Sequence, residues 1–505
     1  MLDPFLSYSS ILLITIPATG ALILIFTPNN STKLINSIAQ FISFITMILA
    51  VMSFIFFDPE NSSYQFRQTF EWLNVTSINK VISLDLGVDG ISSFMVMLTG
   101  IVMFTGVLGS SSITNKTKDF FILYFVLISG VFGVFVSIDL FFLFFFYELA
   151  VVPMYLLISV WGTSSVFENF SRTKDYGALK LTLFLVAGSV LIWIGLLSIF
   201  IESNATNFNL IDIKNNGDLS TKFQIFIFPF ILFGFGVLGG LWPFHIWSPD
   251  GHVAAPTSVS MVHAGVLMKL GAYGFLKIGI FLLPEGAQEW MPVLLTLGTV
   301  NVLYGAFSAM AQQDLKYVIG YSSVSHMGYV FMGIGTLHYL GVTGSIMQMF
   351  SHGIMTALFF STVGMIYEKT SSRDINALEG LAQKMPLITV FFVIAGFASL
   401  GLPSLSGFVS ELLVFLGLFK TYPIFGVLGV IGAAVTAVYI LRLIAKVFFG
   451  SFENNPAIET SVRIKDKISS AILIFLVIAI GSVPFPFIAK IENSVHNLLL
   501  SGLGP

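Results

Sequence analysis

The stretch FFLFFFYELAVVPMYLL, residues 141–157, decides the fold class, because it is a long apolar run that contains a single acidic residue, Glu148. A helix of about 20 apolar residues crosses the roughly 30 Å hydrocarbon core of a bilayer. The strands of a membrane β-barrel would instead alternate between apolar and polar residues, and this run does not. It therefore predicts a membrane-spanning helix over residues 139–161 with a carboxyl group inside the membrane.

The rest of the 505-residue chain has the same character, with 56% hydrophobic and 10% charged residues and a mean hydropathy of +0.92. Soluble proteins carry roughly 25% charged residues, so the composition indicates an integral membrane protein. The net charge of −3 argues against nucleic acid as a partner. The chain contains no cysteine, which excludes disulfides, thiolate metal sites and iron–sulfur clusters on it.

Apolar runs recur along the whole chain and predict an all-α, polytopic membrane protein with about 14 transmembrane helices in one membrane domain, residues 1–505. The gaps at about 58–87 and 202–224 are polar and predict short surface structure. The candidate spans, numbered one to fourteen, are 9–27, 34–57, 88–109, 119–136, 139–161, 174–201, 225–247, 256–283, 290–312, 316–338, 341–367, 386–417, 422–449 and 468–498.

Basic residues in the loops predict the orientation of the chain in the membrane. Loops after odd-numbered spans hold 12 Lys and Arg residues, whereas loops after even-numbered spans, with the tail, hold 6. Because cytoplasmic loops are enriched in Lys and Arg, we expect the odd-numbered loops in the cytoplasm and both termini on the outer side.

Ionisable residues within the spans are the first candidates for function, because a charge at the bilayer centre costs at least ~2.5–3.5 kcal/mol on insertion scales. Glu148 lies in span five, and Lys269 lies midway along span eight in SVSMVHAGVLMKLGAYGFLK, residues 258–277. A protonated glutamate or a structural ion pair would explain these two residues without a function. Lys180 lies near the start of span six, where snorkelling to the surface is about as good an explanation.

Three histidines, His263, His326 and His352, fall near the middles of spans eight, ten and eleven. A single buried histidine is more often a satisfied hydrogen-bonding residue than a ligand, but three at similar depth favour a shared role, and histidine titrates near neutral pH. Polar stripes accompany them, and such stripes either join helices or line a file of water. The stripes consist of Ser345, Gln348, His352 and Thr356 in span eleven and Ser322, Ser323, Ser325 and His326 in span ten.

Two spans contain helix-breaking residues. GLWPFHIWSPDGHVAAPTS, residues 240–258, has three prolines, and ASLGLPSLSGFVSELLVFLG, residues 398–417, has Gly401, Pro403 and Gly407 before Glu411. Proline removes a backbone donor and glycine weakens a helix. Backbone groups exposed in this way inside a membrane are tolerated beside protein or trapped water, so Glu411 is interpreted as part of a hydrated site.

Matching breaks in spans seven and twelve predict two inverted five-helix repeats, residues 119–283 and 290–449, because broken helices in corresponding halves are typical of inverted-repeat transporters. Asp250 and His252 follow the first break. Two ligands in one turn are too few for a metal site, so both are interpreted as connector residues.

Five segments of the chain resemble the antiporter-like M subunits of respiratory complex I, the NuoM-type subunit 4 of NADH dehydrogenase. They are FYELAVVPMYLLISVWG (146–162), FHIWSPDGHVAAPTSVSMVHAGVLMKLGAYG (244–274), QDLKYVIGYSSVSHMGYV (313–330), SRDINALEG (372–380) and ASLGLPSLSGFVSELL (398–413). The resemblance covers essentially the whole chain, and several motifs in order at matching spacing are far more specific than any one of them.

The resemblance implies a proton-translocating subunit without a cofactor of its own. Other subunits would carry electrons from NADH, or a related donor, through flavin and iron–sulfur clusters to a quinone. L-like and N-like neighbours and the lipid bilayer would be the partners, in an energy-coupling membrane for which a prokaryotic plasma membrane is expected. The residues implied in the proton pathway are Glu148 at the first half, Lys269 at the centre, His326 and His352 along the axis, Glu411 at the exit, and His263, which resembles a histidine of the sister L-type subunit.

One departure from the family concerns span seven, where the family usually has a lysine nine residues before the Trp of the P-x-H-x-W segment. Counting back from Trp247 gives Leu238. That lysine is the usual partner of the glutamate that Glu148 matches. We hypothesise that Lys180 partly replaces it, which requires a Glu148–Lys180 separation below about 10 Å, since charges couple strongly within about 4–6 Å.

Three other interpretations remain open at this point. The chain could belong to a multisubunit cation/proton antiporter, or be a scaffold that does not pump because of Leu238. A bis-histidine haem carrier using the three buried histidines is disfavoured, because two haems need four histidines and the buried Lys and Glu would be unexplained.

In the mechanism we expect, protons move from the cytoplasm towards Lys269, along His326 and the serines of span ten. They then pass His352 and leave near Glu411. Glu148 is an electrostatic switch to the neighbouring subunit.

Overall fold

The computed structural model describes residues 6–61, 63–78, 80–166, 171–450 and 461–503. Most of these residues are helical. The longer helices are α1 Ser9–Phe26, α2 Thr32–Ile55, α3 Gly90–Gly109, α4 Thr117–Val136, α5 Leu140–Trp161, α6 Lys174–Glu202, α7 Thr221–Gly239, α8 Trp247–Ala254, α9 Thr257–Ile280, α10 Pro284–Ala311, α11 Leu315–Gly335, α12 Tyr339–Thr370, α13 Pro386–Ser399, α14 Ser406–Thr421, α15 Pro423–Phe448, α16 Ile464–Ser482 and α17 Phe485–Leu503.

Eleven helical stretches in the described residues are long and apolar enough to cross a membrane, or twelve if α16 and α17 form one bent span. The prediction of a helical, polytopic membrane protein is confirmed, and the count of fourteen spans stays a prediction. The candidate span fourteen, 468–498, corresponds to α16 and α17, between which the chain bends by 74°. Pro484 and Pro486 flank the start of α17, and proline cannot donate the backbone hydrogen bond that would continue a helix.

Two small antiparallel sheets accompany the helices, so the chain is not entirely α-helical. Strands β1 (Gln65–Val75) and β2 (Lys80–Val88) form a hairpin in the first polar gap, and β3 (Ser165–Val166) pairs with β4 (Ser171–Arg172). Apolar and polar residues alternate along QFRQTFEWL in β1, which is the period of a half-buried strand. The second polar gap contains the short helix Leu210–Asn216.

Acidic residues define where several spans begin. The Asp89 side chain accepts the Ser92 amide at the start of α3, Asp139 accepts the Phe142 amide at the start of α5, and Asp314 caps α11 in the same way. An N-cap carboxylate satisfies backbone donors that the first helical turn leaves unpaired and interacts favourably with the helix dipole.

Glycines allow the two interruptions in the helices. α7 ends at Gly240, whose φ is +74°, and Gly401, with φ of +71°, lies between α13 and α14. Both are in the left-handed region that glycine adopts without a Cβ clash. A Cβ on Gly271 would lie 2.4 Å from the Gly239 nitrogen, so α9 packs backbone to backbone against the end of α7.

The helices form a buried centre and a lipid-facing periphery. α3, α9 and α12 are buried throughout their apolar windows, whereas α1, α2, α6 and α15 each leave more than half of theirs uncovered. Exposed side chains on the peripheral helices are apolar, for example Leu22, Phe41, Leu183 and Val438. The polar residues of α9 and α12 therefore lie inside the bundle, away from lipid.

Loops after odd-numbered spans meet at one end of the molecule, here called the odd face, and the remaining loops meet at the other end, the even face. At the odd face Arg373 forms an ion pair with Asp314 at 3.1 Å and donates to Ser165 Oγ at 2.8 Å. At the even face strand β2 bridges Asn207 through Val81. These contacts therefore join odd-numbered loops to one another at the odd face and even-numbered loops to one another at the even face. The numbering of the predicted spans requires this arrangement.

Candidate functional site

Lys269 lies at the centre of α9, fully buried between π-helical turns at His263–Leu267 and Phe275–Ile280. Such turns occur frequently at functional sites, because they rearrange backbone groups within a helix. The Lys269 Nζ atom donates to the Ala264 carbonyl oxygen and lies 2.7 Å from Nδ1 of His352 on α12. The central lysine thus has a titratable partner on the neighbouring helix.

His326, on α11, continues from this pair towards the second break. Its ring centroid is 5.4 Å from that of His352. Its Nε2 atom is 2.9 Å from Ser399 Oγ at the end of α13, and its Nδ1 atom is 3.1 Å from Gln348 Nε2 and 3.4 Å from Glu411 Oε1. The two ring nitrogens of His326 therefore face different polar groups.

Glu411 is buried on the first turns of α14, directly after the break between α13 and α14. A Cβ on Gly401 would lie 3.1 Å from Glu411 Oε2, so the interrupted backbone passes beside the carboxylate. Neighbouring Ser410 donates to the Gln348 side-chain oxygen. Lys269 and His352 form one contacting pair, and His326 and Glu411 form another, with the two histidine rings 5.4 Å apart between centroids. We call these four titratable side chains the relay.

His263 belongs to a second cluster, beside the first break. Its ring lies 4.0 Å from that of His252 and stacks on Trp247 at 5.4 Å. Ser248 Oγ is 3.1 Å from His252 Nε2, whereas neither ring nitrogen of His263 has a hydrogen-bond partner among the residues that the structure describes. His252 lies on α8, the short helix that connects α7 to α9, and it is fully buried against His263.

Glu148 is half-buried on α5, and its Oε1 atom has no hydrogen-bond partner within the described part of the chain. The hydroxyl of Ser189, on α6, interacts with its carboxyl group. Leu238, at the position where the family usually has a lysine, is 1% exposed on α7. The first half thus has a buried leucine where a cation was expected.

Lys180 donates to Asp250 Oδ2 at 2.7 Å. The structure thus gives Lys180 a carboxylate partner other than Glu148, and the hypothesis that Lys180 partly replaces the missing lysine stays a prediction. The physical reason for this contact is that α8, which follows the first break, brings the Asp250 carboxylate against the odd-face end of α6.

Asp250 is the centre of an ion cluster that the sequence analysis missed. It is 4% exposed in its side chain, binds Arg172, and accepts from Tyr317 Oη at 2.9 Å. Burial alone would lower the pKa of the Arg172 guanidinium, but Asp250 and Tyr317 raise it above its ordinary range. An acidic residue inside an interrupted apolar span was the signal, since such a group needs a cation. Asp250 thus lies in the connector between α7 and α9 and also holds this ion cluster together.

Two carboxyl groups at the even face differ in their partners. Asp89 binds the Lys277 ammonium; burial would raise the pKa of Asp89, but Lys277 and the Ser92 amide hold it below its ordinary value. Asp139 accepts the Phe142 amide at 3.0 Å through Oδ1, while Oδ2 is buried and has no hydrogen-bond partner in the described chain. Burial raises the pKa of Asp139 to about 7, against the opposing effect of the Phe142 and Phe141 amides.

Metal and haem binding gain no support from these side chains. The described residues include no group of three or more His, Cys, Asp or Glu that could hold a metal ion. His326 and His352 each bond to another protein side chain through at least one ring nitrogen.

Comparisons with known proteins agree with this arrangement. Residues 137–436 match the family model described as NADH:quinone oxidoreductase/Mrp antiporter, TM. The chain is 35% identical over 483 residues to the NADH-quinone oxidoreductase subunit M of Rickettsia prowazekii (strain Madrid E), covering 95% of this chain and 96% of that protein.

Two solved structures have a similar fold. A chain of respiratory complex I from Thermus thermophilus with bound NADH is 22% identical, with a TM-score of 0.86 and coverage of 97% of this chain and 99% of that one. A chain of the Mrp complex from Dietzia sp. DQ12-45-1b is 17% identical, with a TM-score of 0.83 and coverage of 98% and 99%. At these identities the likeness establishes the fold.

A buried lysine, histidines and a glutamate in line across a helical bundle define an antiporter-like membrane subunit. The chain belongs to the NADH:quinone oxidoreductase/Mrp antiporter family, on the branch of the NuoM-type subunits.

Proposed function

We propose that this chain is a proton-translocating membrane-arm subunit of an NADH:quinone oxidoreductase. Electron transfer from NADH, or a related donor, takes place on other subunits that hold flavin, iron–sulfur clusters and quinone, and this chain couples it to proton movement. Its relatives named NADH-quinone oxidoreductase subunit M support the assignment. The observation that carries it is the relay, because closely spaced titratable groups inside a membrane are what proton transfer needs.

The relay supplies acceptors and donors at each step. The 2.7 Å contact between Lys269 Nζ and His352 Nδ1 lets one proton be exchanged between amine and imidazole. His326 can hold a proton at Nε2 and release another from Nδ1, which faces the Glu411 carboxylate at 3.4 Å. Glu411 then holds the proton beside the interrupted helix, where exposed backbone groups can hold water that receives it.

The direction of transport follows from the proposed topology. Fourteen spans would include two inverted repeats, residues 119–283 and 290–449, with α7–α8 and α13–α14 as their interrupted helices. The odd face would be cytoplasmic and both termini outside, because the basic residues concentrate in the odd-numbered loops. Protons would then be released towards the outer side of a prokaryotic plasma membrane.

The first half would connect the relay to neighbouring subunits of L-like and N-like type. Glu148 is half-buried among exposed apolar side chains such as Phe145 and Val152, so a neighbour packed there would change its surroundings. His263, next to Lys269 along α9, and Lys180, bound to Asp250, would belong to the same half of the pathway.

The test is proton pumping by the complete complex in proteoliposomes, driven by NADH and a quinone. Lys269→Ala should abolish pumping while the complex still assembles, because the relay loses its central proton carrier. Lys33→Ala, at an exposed position of α2, is the matched control and should pump normally. Normal pumping by Lys269→Ala would refute the proposal.

A non-pumping scaffold is the second candidate function, favoured by Leu238 and by the lack of a cation partner for Glu148 in the described chain. Full pumping loss in Lys269→Ala excludes it. A subunit of a cation/proton antiporter would instead exchange Na⁺ for H⁺ in vesicles without NADH, which the same preparations can measure.

A further inference from the structure

A cavity of about 230 Å³ lies at the odd face between α10, α11 and α15. Its wall includes the exposed loop residues Gln313 and Asn376 and, deeper in the membrane domain, Tyr439. A water molecule occupies about 30 Å³ in the liquid, so several waters fit. The cavity therefore brings water from the odd face to a tyrosine inside the bundle.

Tyr439 connects the cavity to the relay through hydroxyl groups. The side chain is 3% exposed, and its Oη atom donates to Ser322 Oγ at 2.8 Å. The same hydroxyl interacts with the side chain of Ser399. Ser399 Oγ lies 2.9 Å from His326 Nε2. Rotation about the Cζ–Oη bond can direct the Tyr439 hydrogen from one serine to the other, so the tyrosine hydroxyl lies between the cavity wall and the serine that contacts His326.

We propose that this cavity is the water-filled vestibule through which the relay takes up protons, and that Tyr439 passes them to His326. The inference rests on the proposed function and adds an uptake route to it. In the step, a hydronium ion in the cavity gives a proton to Tyr439 Oη and becomes water, as the Tyr439 hydroxyl proton moves to Ser399 Oγ and the Ser399 hydroxyl proton moves to His326 Nε2. Both hydroxyl groups end neutral, and the His326 imidazole carries the charge until the other groups of the relay take up the proton.

The charges on the cavity wall indicate which ion uses it. Arg442 and Lys446 line the cavity, and Lys446 Nζ bonds to the Asn376 side-chain oxygen. Like charges repel strongly where water is limited, so Na⁺ or K⁺ would not reside there. A proton can cross by hopping between water molecules without a resident cation, and the vestibule thus serves protons.

Tyr439→Phe is the direct test, because it removes the hydroxyl and keeps the ring. In the reconstituted complete complex we expect pumping about tenfold below the unmodified complex, since proton transfer through a positioned group typically contributes at least this much. Tyr124→Phe is the matched control: its buried hydroxyl donates to the Met103 carbonyl, away from the cavity, and this variant should pump normally. A loss of less than about fivefold in Tyr439→Phe overturns the proposal.

A second test blocks the cavity instead of the tyrosine. The chain has no cysteine, so Gln312→Cys on the cavity wall and Asp175→Cys, exposed elsewhere on the odd face, each give one labelling site. A membrane-impermeant methanethiosulfonate should label both, confirmed by mass spectrometry of this chain. Labelled Gln312→Cys should lose pumping about fivefold or more, while labelled Asp175→Cys should not, relative to labelled complex without either substitution. Normal pumping by labelled Gln312→Cys overturns the vestibule.

Lys269→Ala, measured in the same preparations, separates the two proposals. If it stops pumping while Tyr439→Phe and labelled Gln312→Cys pump normally, the proposed function stands and the vestibule falls. If Lys269→Ala pumps normally, both fall.

Discussion

The two halves of the membrane domain treat their buried charges differently. In the second half, Glu411 lies 3.4 Å from His326, and His352 lies 2.7 Å from Lys269 of the proposed first repeat, so each group of the relay has a titratable neighbour. In the first half, Leu238 occupies the expected position of a lysine, and no cation forms an ion pair with Glu148 among the described residues.

The difference shows where selection for proton transfer and selection for stability separate. Isolated charges inside a membrane are costly, and the first half avoids one by replacing a cation with leucine. Its remaining cation near the odd face, Lys180, is held by Asp250. The second half keeps its charges by placing them in contact with one another. The comparison predicts that proton transport depends on the second half far more than on the first.

The largest expected effect is a contrast between two isosteric substitutions. Glu411→Gln removes the carboxyl that receives the proton from His326, and we expect pumping to fall at least about tenfold. Glu148→Gln removes a carboxyl that has no ion-pair partner within the described chain, and we expect a fall of less than about threefold. Both are measured as NADH-driven acidification of proteoliposomes containing the complete complex. Equal losses would mean that the two halves contribute alike.

A second contrast lies at the even-face end of α5, where Asp139 is buried without a cation contact in the described residues. Burial raises its pKa to about 7, so between about pH 4 and pH 7 the folded protein binds more protons than the unfolded chain, and stability falls as the pH rises through this window. Asp139→Asn can keep the contact to the Phe142 amide and removes this loss, which is on the order of 3 kcal/mol at pH 8.

The measurement for Asp139 is the thermal midpoint of the detergent-solubilised complex, followed by proteolysis of this chain. The advantage of Asp139→Asn over the unsubstituted chain should be small at pH 5 and clear at pH 8. Asp119→Asn, at an exposed position of α4, should show no such change with pH. An advantage that is the same at both pH values would contradict the buried, unpaired state of Asp139.

The sequence was informative wherever a property is local to one helix. Uninterrupted apolar runs predicted a helical, polytopic membrane protein, and Gly401 and Pro403 predicted an interruption where α13 and α14 are separate helices, because both depend on residues close in the chain. The partners of the charges were not predictable in this way. Lys180 was assigned to Glu148 and binds Asp250, since that contact depends on how α8 packs against α6 after the first break.

Sequence patterns also failed to predict features for which two structural interpretations were about equally well supported. The hairpin β1–β2 lies in a gap that is polar on average, so its alternating residues were missed. Asp250 was treated as a connector residue because two ligands in one turn are too few for a metal site, although it is 4% exposed and holds an ion cluster. The order of Lys269, His352 and His326 in the relay depends on how three helices pack together. The spacing of residues along one helix does not predict that packing.

A smaller effect is expected at the ion cluster of the odd face. Asp250→Asn leaves Arg172 and Lys180 without their shared carboxylate. Breaking a fully buried ion pair costs about 3–5 kcal/mol, and solvent reaches Arg172 and Lys180, so we expect about 2 kcal/mol and a lower thermal midpoint. Asp175→Asn, at the exposed start of α6, is the control. If the two variants denature together, the cluster does not stabilise the first half.

The smallest expected effect tests whether the first half can still accept its missing charge. Leu238→Lys places an amine in a fully buried position, which destabilises the domain unless a carboxylate is near. If Glu148 can pair with it, as the family resemblance implies, the destabilisation should be greater by about 1 kcal/mol in a Glu148→Gln background. A double-mutant cycle on thermal midpoints measures this coupling, and Leu238→Met in both backgrounds controls for packing. A coupling indistinguishable from zero would mean that Glu148 faces away from position 238, and the two halves would then differ in architecture as well as in one side chain.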